Sequence, residues 1–239
     1  MRQKLKKIGI YSVLIIILPC IFIVSIIVYR TFYLRTLIII SKKAPLNGLT
    51  QLNNSNLLHL DIKKMSLILQ KLNPSFLTIN ILKKHPNTLI LQTFNRVPVA
   101  KVQVGNIHKF VDQSGFIFTD EDNSVNLPLI VIPEITIYSD QKTDWRVLKA
   151  ISFIVDTVDQ GIDIEQISGN DSDNSFKIKT SRGPEIMLPY SAEMRSKASS
   201  LQVIILRFRI EGKNITKVDF RYEKPLVSLS NGEKMSSSF

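Results

Sequence analysis

Residues 8–29 read IGIYSVLIIILPCIFIVSIIVY, a run of 22 positions without a charged side chain. As a helix rising about 1.5 Å per residue it spans about 33 Å, enough for a hydrocarbon core of about 30 Å. Fifteen of the 22 are Ile, Leu, Val or Phe. At roughly 0.3–0.6 kcal/mol each near the bilayer centre, insertion is favoured by about 5–9 kcal/mol before Pro19 and the small residues are counted. A cleavable signal has a shorter apolar region, about 7–15 residues, that ends in small residues. This run is longer and ends Ile-Ile-Val-Tyr. The Ile-Leu-Pro-Cys stretch ending at Cys20 places Pro19 where a lipidation signal needs a small residue. The expectation is an uncleaved membrane helix over 8–29 behind a stub at 1–7, with Pro19 as a tolerated kink.

The 239 residues carry a formal net charge of +11, and its distribution matters more than its size. Residues 1–60 hold eight Lys/Arg and no acid, whereas residues 61–239 hold 23 bases against 20 acids. The excess therefore flanks the apolar run. No Lys/Arg cluster interleaved with aromatics follows, so nucleic acid is not an expected partner. Arg2, Lys4, Lys6 and Lys7 crowd the leading edge; Arg30, Arg35, Lys42 and Lys43 are spread behind it. The denser edge places the N-terminus in the cytoplasm and exports the rest. The single cysteine, Cys20, excludes an internal disulfide, a CxxC redox pair and a cysteine zinc site.

Beyond the anchor, 36–41 (TLIIIS) is a β-branched strand candidate and 44–56 is turn-rich with room for one short helix. Asp61 caps a helix in which Ile62, Met65, Leu69 and Leu72 recur at helical spacing, with Pro74 just past its end. Strands at 76–83 and 88–94 flank the turn Lys84-His85-Pro86-Asn87. The order β, short α, α, β, β closes a three-stranded sheet with two helices on one face. Strands at 99–104 and 107–112 come next, then an Asp112–Gly115 type I turn and the apolar stretch LPLIVIP from Leu127. A helix over 144–158 is capped by Asp144 and stopped by Gly161. Strands are expected at about 162–168, 175–180, 185–188, 202–210 and 215–222, with a frayed tail at 230–239. The fold class is α+β, and the second domain is mainly antiparallel β with one helix.

No catalytic constellation accompanies these elements. Ser139-Asp-Gln-Lys142 matches S-x-x-K, but the companion Ser-Asp-Asn and Lys-Thr-Gly motifs are absent. Asp171-Ser-Asp173-Asn174 lacks the Gly and Glu of a calcium loop and reads as a solvated hairpin turn. The three histidines, His59, His85 and His108, form no local metal pattern. No cofactor, metal or catalytic residue is expected.

Three ordered stretches carry a resemblance. Lys84-His85-Pro86-Asn87-Thr88-Leu89-Ile90 is followed by Arg96-Val97-Pro98-Val99-Ala100. Phe110-Val111-Asp112-Gln113-Ser114-Gly115-Phe116-Ile117-Phe118 leads on to Leu127-Pro128. Val218-Asp219-Phe220-Arg221-Tyr222 closes the set. Together they resemble the bacterial cell-division family FtsQ/DivIB. Pro86, Thr88, Leu89, Arg96, Pro98, Ala100, Asp112, Gly115, Asp219 and Arg221 stand at its motif positions, and Asn95 departs where the family usually has Glu. The resemblance implies a bitopic protein of the cytoplasmic membrane at the division septum, with a POTRA domain at 36–104 and a β domain at 105–229. It implies a non-enzymatic scaffold that gathers FtsB-like and FtsL-like (DivIC) division proteins, contacts FtsK and reaches the septal cell-wall synthases. The rivals are a POTRA-bearing envelope assembly or secretion factor and a membrane-anchored wall enzyme.

The residues themselves supply a binding mode. Lys217 to Leu229 reads as the last strand of its sheet, and an edge strand offers unpaired backbone groups to another chain. Each such hydrogen bond nets only about 0.5–1.5 kcal/mol, so neighbouring side chains must confer choice. Tyr222, Pro225, Leu226, Val227 and Leu229 are the expected partner-binding residues.

Overall fold

The computed structural model describes residues 2–40, 46–119 and 126–236, with side chains from Ile17 onward. It divides into two compact units, Met1–Arg96 and Val97–Phe239. The fold is α+β, with four helices and a large mixed sheet.

The first unit opens with helix α1 (Arg2–Thr31), which contains Pro19. From Ile17 to Tyr29 its large apolar side chains are exposed. Among the described residues no helix is long and apolar enough to cross a membrane; the side chains of 8–16, the first part of the expected span, lie outside them. Strand β1 (Thr36–Ile40) follows, then a single 3-10 turn at Leu49–Leu52 where a short helix was expected. Helix α2 (Ile62–Leu72) starts where its cap predicts, with Asp61 Oδ1 accepting from the Lys64 amide at 3.1 Å. Strands β2 (Phe76–Lys84) and β3 (Thr88–Asn95) form the expected antiparallel hairpin, and β1 adds to β3 in parallel. The sheet order is β1-β3-β2. Its core is Leu52, Leu57, Leu69, Phe76, Ile79, Ile81, Leu89 and Leu91, all buried. Asn73 ties this unit together: its Nδ2 donates to the Leu69 and Asn47 carbonyls, and its Oδ1 accepts from the Asn47 amide at 2.8 Å.

The second unit is built on one ten-stranded sheet. Its strands are β4 (Pro98–Val104), β5 (Ile107–Asp112), β6 (Ile117–Phe118), β7 (Leu129–Val131), β8 (Ile164–Asn170), β9 (Ser175–Thr180), β10 (Glu185–Pro189), β11 (Ile215–Asp219), β12 (Leu226–Leu229) and β13 (Lys234–Ser236). The spatial order is β13-β12-β11-β10-β9-β8-β7-β4-β5-β6. The ladder of this sheet begins at Pro98, because β4 pairs with β5 and β7.

Two expectations are corrected here. Residues 202–210 are not a strand: they are the second half of helix α4 (Met194–Ile210). The run Val203-Ile204-Ile205 favours β locally, but Met194, Ala198, Leu201, Ile204 and Phe208 fall on one helical stripe and are all buried. The unit therefore has two helices rather than one, α3 (Trp145–Val158) and α4. The sheet is mixed: β7–β8, β4–β7 and β10–β11 are parallel, and the other six pairings are antiparallel, as expected for most of it. Adjacent parallel strands need a crossover; α3 carries β7 to β8, and α4 carries β10 to β11. Both helices cover the same core, in which Ile151, Phe153, Ile167, Phe176, Ile178, Leu188, Leu201 and Val218 are buried.

Candidate partner-binding site at the C-terminal hairpins

The expected single strand from Lys217 to Leu229 is two antiparallel strands. β11 stops at Asp219, the chain turns through Phe220–Pro225, and β12 returns beside it, with Asp219 opposite Leu226 and Val218 opposite Val227. The turn is fixed from within. Arg221 donates from Nε to Asp219 Oδ1 at 3.0 Å and from Nη2 to Oδ2 at 2.8 Å, a two-pronged grip reinforced by its own amide at 3.1 Å. Its Nη1 also reaches Asp173 Oδ2 at 3.5 Å. Burial pushes the Asp219 carboxyl up, but Arg221 more than offsets it and holds the group below the usual carboxylate range. Phe220 is buried, its amide donating to the Met187 carbonyl at 2.8 Å. Tyr222 is left outside, 56% exposed.

The other predicted partner residues divide by face. Leu226 is half-buried, whereas Pro225, Val227 and Leu229 are buried. Val227 and Leu229 belong to the core of the unit, so they offer a partner backbone groups rather than side chains. The expected edge is also corrected: β12 lies between β11 and β13, so its outward amides and carbonyls are paired with β13, with Tyr222 and Leu226 beside them.

The frayed tail expected at 230–239 is corrected as well. Residues 234–236 form β13, paired antiparallel with β12 through Leu226–Ser236, Val227–Met235 and Ser228–Lys234; residues 237–239 lie outside the described residues. The reversal is made at Asn231-Gly232, where Gly232 adopts φ +87°, a conformation that glycine reaches without a Cβ penalty. The signal was present in that Asn-Gly pair, but Lys-Met-Ser is too short and polar to read as a strand.

The remaining motif residues are structural. Pro86, in a cis peptide with His85, and Thr88 shape the β2–β3 turn, and Leu89 is fully buried. Arg96 Nε donates to the Pro74 carbonyl at 3.1 Å. Pro98 starts β4, and Ala100 is fully buried in it. Asp112 Oδ1 accepts from the amides of Ser114 and Phe116 at 2.9 and 3.1 Å, closing the turn that ends in Gly115.

One cluster appears in the sequence only in parts, Asp144 as a cap and Asp171 in what reads as a solvated hairpin turn. Arg146 Nη2 donates to Asp144 Oδ2 at 2.8 Å, and Nη1 donates to Asp171 at 2.8 and 2.9 Å. Tyr190 Oη donates to Asp171 Oδ1 at 2.9 Å. Burial followed by the Asp171 contact pushes the Tyr190 phenol up to about 12. The four residues lie on α3, the β8–β9 turn and the end of β10, so only the folded topology brings them together. They form an internal clip. Among the described residues no group of three or more His, Cys, Asp or Glu is placed to hold a metal.

No curated protein matches the chain. A family model described as "Cell division protein FtsQ/DivIB, C-terminal" matches residues 100–221. The match runs from the buried Ala100 of β4 to Arg221 of the carboxylate grip, and so takes in most of β4, strands β5 to β11, both crossover helices, the second motif stretch and the third as far as Arg221; Tyr222, β12 and β13 lie beyond it. Covering just over half of the 239 residues, it establishes that the chain belongs to the FtsQ/DivIB cell-division family.

Proposed function

We propose that this chain is a non-enzymatic scaffold of the division machinery, held in the cytoplasmic membrane by residues 8–29 with its N-terminus inside. The family match over 100–221 carries the reading. The uncharged run and the exposed apolar side chains of α1 from Ile17 to Tyr29 favour a bilayer around that helix. In this reading the first unit's three-stranded sheet serves as a POTRA-type module. The second unit recruits FtsB-like and FtsL-like (DivIC) bitopic proteins at the septum, which couples them to FtsK and to septal wall synthesis. Recruitment proceeds by β-strand addition along β12, where Tyr222 and Leu226 flank the row of backbone groups.

Two experiments test it. A fluorescent protein fused to the N-terminus should form a midcell band, and depletion should give filaments. An even membrane distribution with normal division rejects the division role. For the site, Tyr222→Ala and Leu226→Asp should each lower capture of the FtsB-like partner at least tenfold while near-ultraviolet circular dichroism is unchanged. Undiminished capture by both removes β12 as the docking strand.

A further inference from the structure

We propose that β13 is a strap in cis: the chain's own last strand occupies the free edge of β12 and must peel away before a partner strand can pair there. The proposal rests on the reading of β12 as the docking strand and adds the regulation of that site.

The geometry is specific about what is covered. β13 pairs with Leu226, Val227 and Ser228, three of the four residues of β12. An incoming strand that hydrogen-bonds the outer side of β12 needs the outward amides and carbonyls of Val227 and Leu229, which the β12–β13 hairpin already uses. The strap is weakly fastened. Lys234, Met235 and Ser236 are all exposed, and none belongs to the core. Its neighbour is held much more firmly, for Val227 and Leu229 are 0% and 4% exposed. Peeling therefore breaks a short ladder and removes no residue of the core, while β12 stays in the sheet.

The link is built to turn. The Leu229 amide donates to the Glu233 carbonyl at 2.9 Å and the Gly232 amide to the Leu229 carbonyl at 3.1 Å. The Ser230 amide donates to the Asn214 carbonyl at 2.9 Å, which anchors the base of the hairpin on the loop before β11. The hinge thus lies beyond Ser230. Exchange of one strand for another replaces backbone hydrogen bonds one for one, so a partner segment longer than three residues that also meets Tyr222 outcompetes the strap. Until then the strap blocks indiscriminate pairing along an edge that would otherwise be open.

Apparent affinity falls by the fraction of molecules whose edge is free, which sets the test. In the full-length protein with Cys20→Ser, Ser228→Cys and Lys234→Cys place two thiols directly opposite each other on the solvent-facing side of the hairpin. Oxidation should lower capture of the extracytoplasmic segment of the FtsB-like partner at least tenfold, and reduction of the same sample should restore it. A chain ending at Ser230 should bind about 5–50-fold more tightly than the full chain. Its Val227 and Leu229 amides, which face β13 while those of Leu226 and Ser228 face β11, should exchange with solvent at least tenfold faster in the absence of partner. Equal capture by the oxidised and reduced forms overturns the strap, and so does weaker capture by the truncated chain, which would make β13 itself the docking edge. Unchanged exchange on truncation overturns it whatever the partner does. Failure of the docking reading looks different: capture would be indifferent to Tyr222→Ala and Leu226→Asp as well as to the lock.

Discussion

Arg146 on α3 grips both carboxylate oxygens of Asp171, 25 residues further along the chain, at 2.8 and 2.9 Å. The same guanidinium holds Asp144, whose side chain is only 6% exposed. Arg146→Met should therefore destabilise the second unit by about 2–4 kcal/mol, because it leaves a buried carboxylate without its partner. Asp171→Asn should cost less, about 0.5–1.5 kcal/mol, since that side chain is 46% exposed and water replaces part of the contact. Urea unfolding followed by Trp145 fluorescence reads both, as Trp145 packs edge-on against Tyr190 at 5.7 Å.

The same carboxylates set a dependence on pH. Asp144 is pushed up by burial, but its bonds to Arg146 and the Thr136 amide more than offset this and lower its pKa; Asp219 is lowered in the same way through Arg221. A lowered folded pKa gives stability that is present above the unfolded value, about 3.9, and lost as pH falls through the folded one. Tyr190 works in the opposite sense. With its pKa pushed up to about 12, it contributes stability that is full below the unfolded value of about 10 and lost between there and about 12. Stability against pH should therefore fall at both ends. Asp219→Asn should flatten the acid limb and leave the alkaline limb unchanged, whereas Tyr190→Phe should remove the alkaline limb and also soften the acid limb, because, beside Arg146, its hydroxyl helps hold the Asp171 carboxyl down.

Gly115 closes the Asp112 turn at φ +79°, and a Cβ there would stand 2.5 Å from Leu148 Cδ2. Leu148 is 41% exposed, so its tip can move away, but the backbone strain stays. Gly115→Ala should cost about 1–2 kcal/mol. Adding Leu148→Ala should recover only the steric part, and Gly115→Asn should be milder than Gly115→Val because Asn tolerates the left-handed region. Chemical denaturation of the four variants separates the two contributions.

What the sequence discloses follows the range of the interaction. Asp61 and Asp144 cap α2 and α3 within three residues of the amides they satisfy, and both helices begin where those caps place them. The Asp219–Arg221 grip spans two positions and lies within a family motif. The Arg146–Asp171 contact and the parallel pairing of β10 with β11 depend on crossovers, which no local pattern encodes. At the candidate site, Tyr222 and Leu226 could be named in advance. That Val227 and Leu229 point into the core could not, because the position of the β11–β12 turn decides which face they take.

The local β preference of 202–210 gives the sharpest test of the fold. A strand would put Ile204, Leu206 and Phe208 on one face. The helix buries Ile204 and Phe208, which are 0% and 4% exposed, and turns Leu206 outward at 46%. Ile204→Asp should therefore prevent folding of the second unit, since it buries an unpaired charge among Leu201, Phe208 and Val218. Leu206→Asp should change stability by no more than about 0.5 kcal/mol. Leu201→Ala should cost about 2–4 kcal/mol, whereas Val203→Ala, at a position 49% exposed, should be close to neutral. Equal damage from Leu206→Asp and Ile204→Asp in urea melts would place both on one buried face and return the segment to a strand.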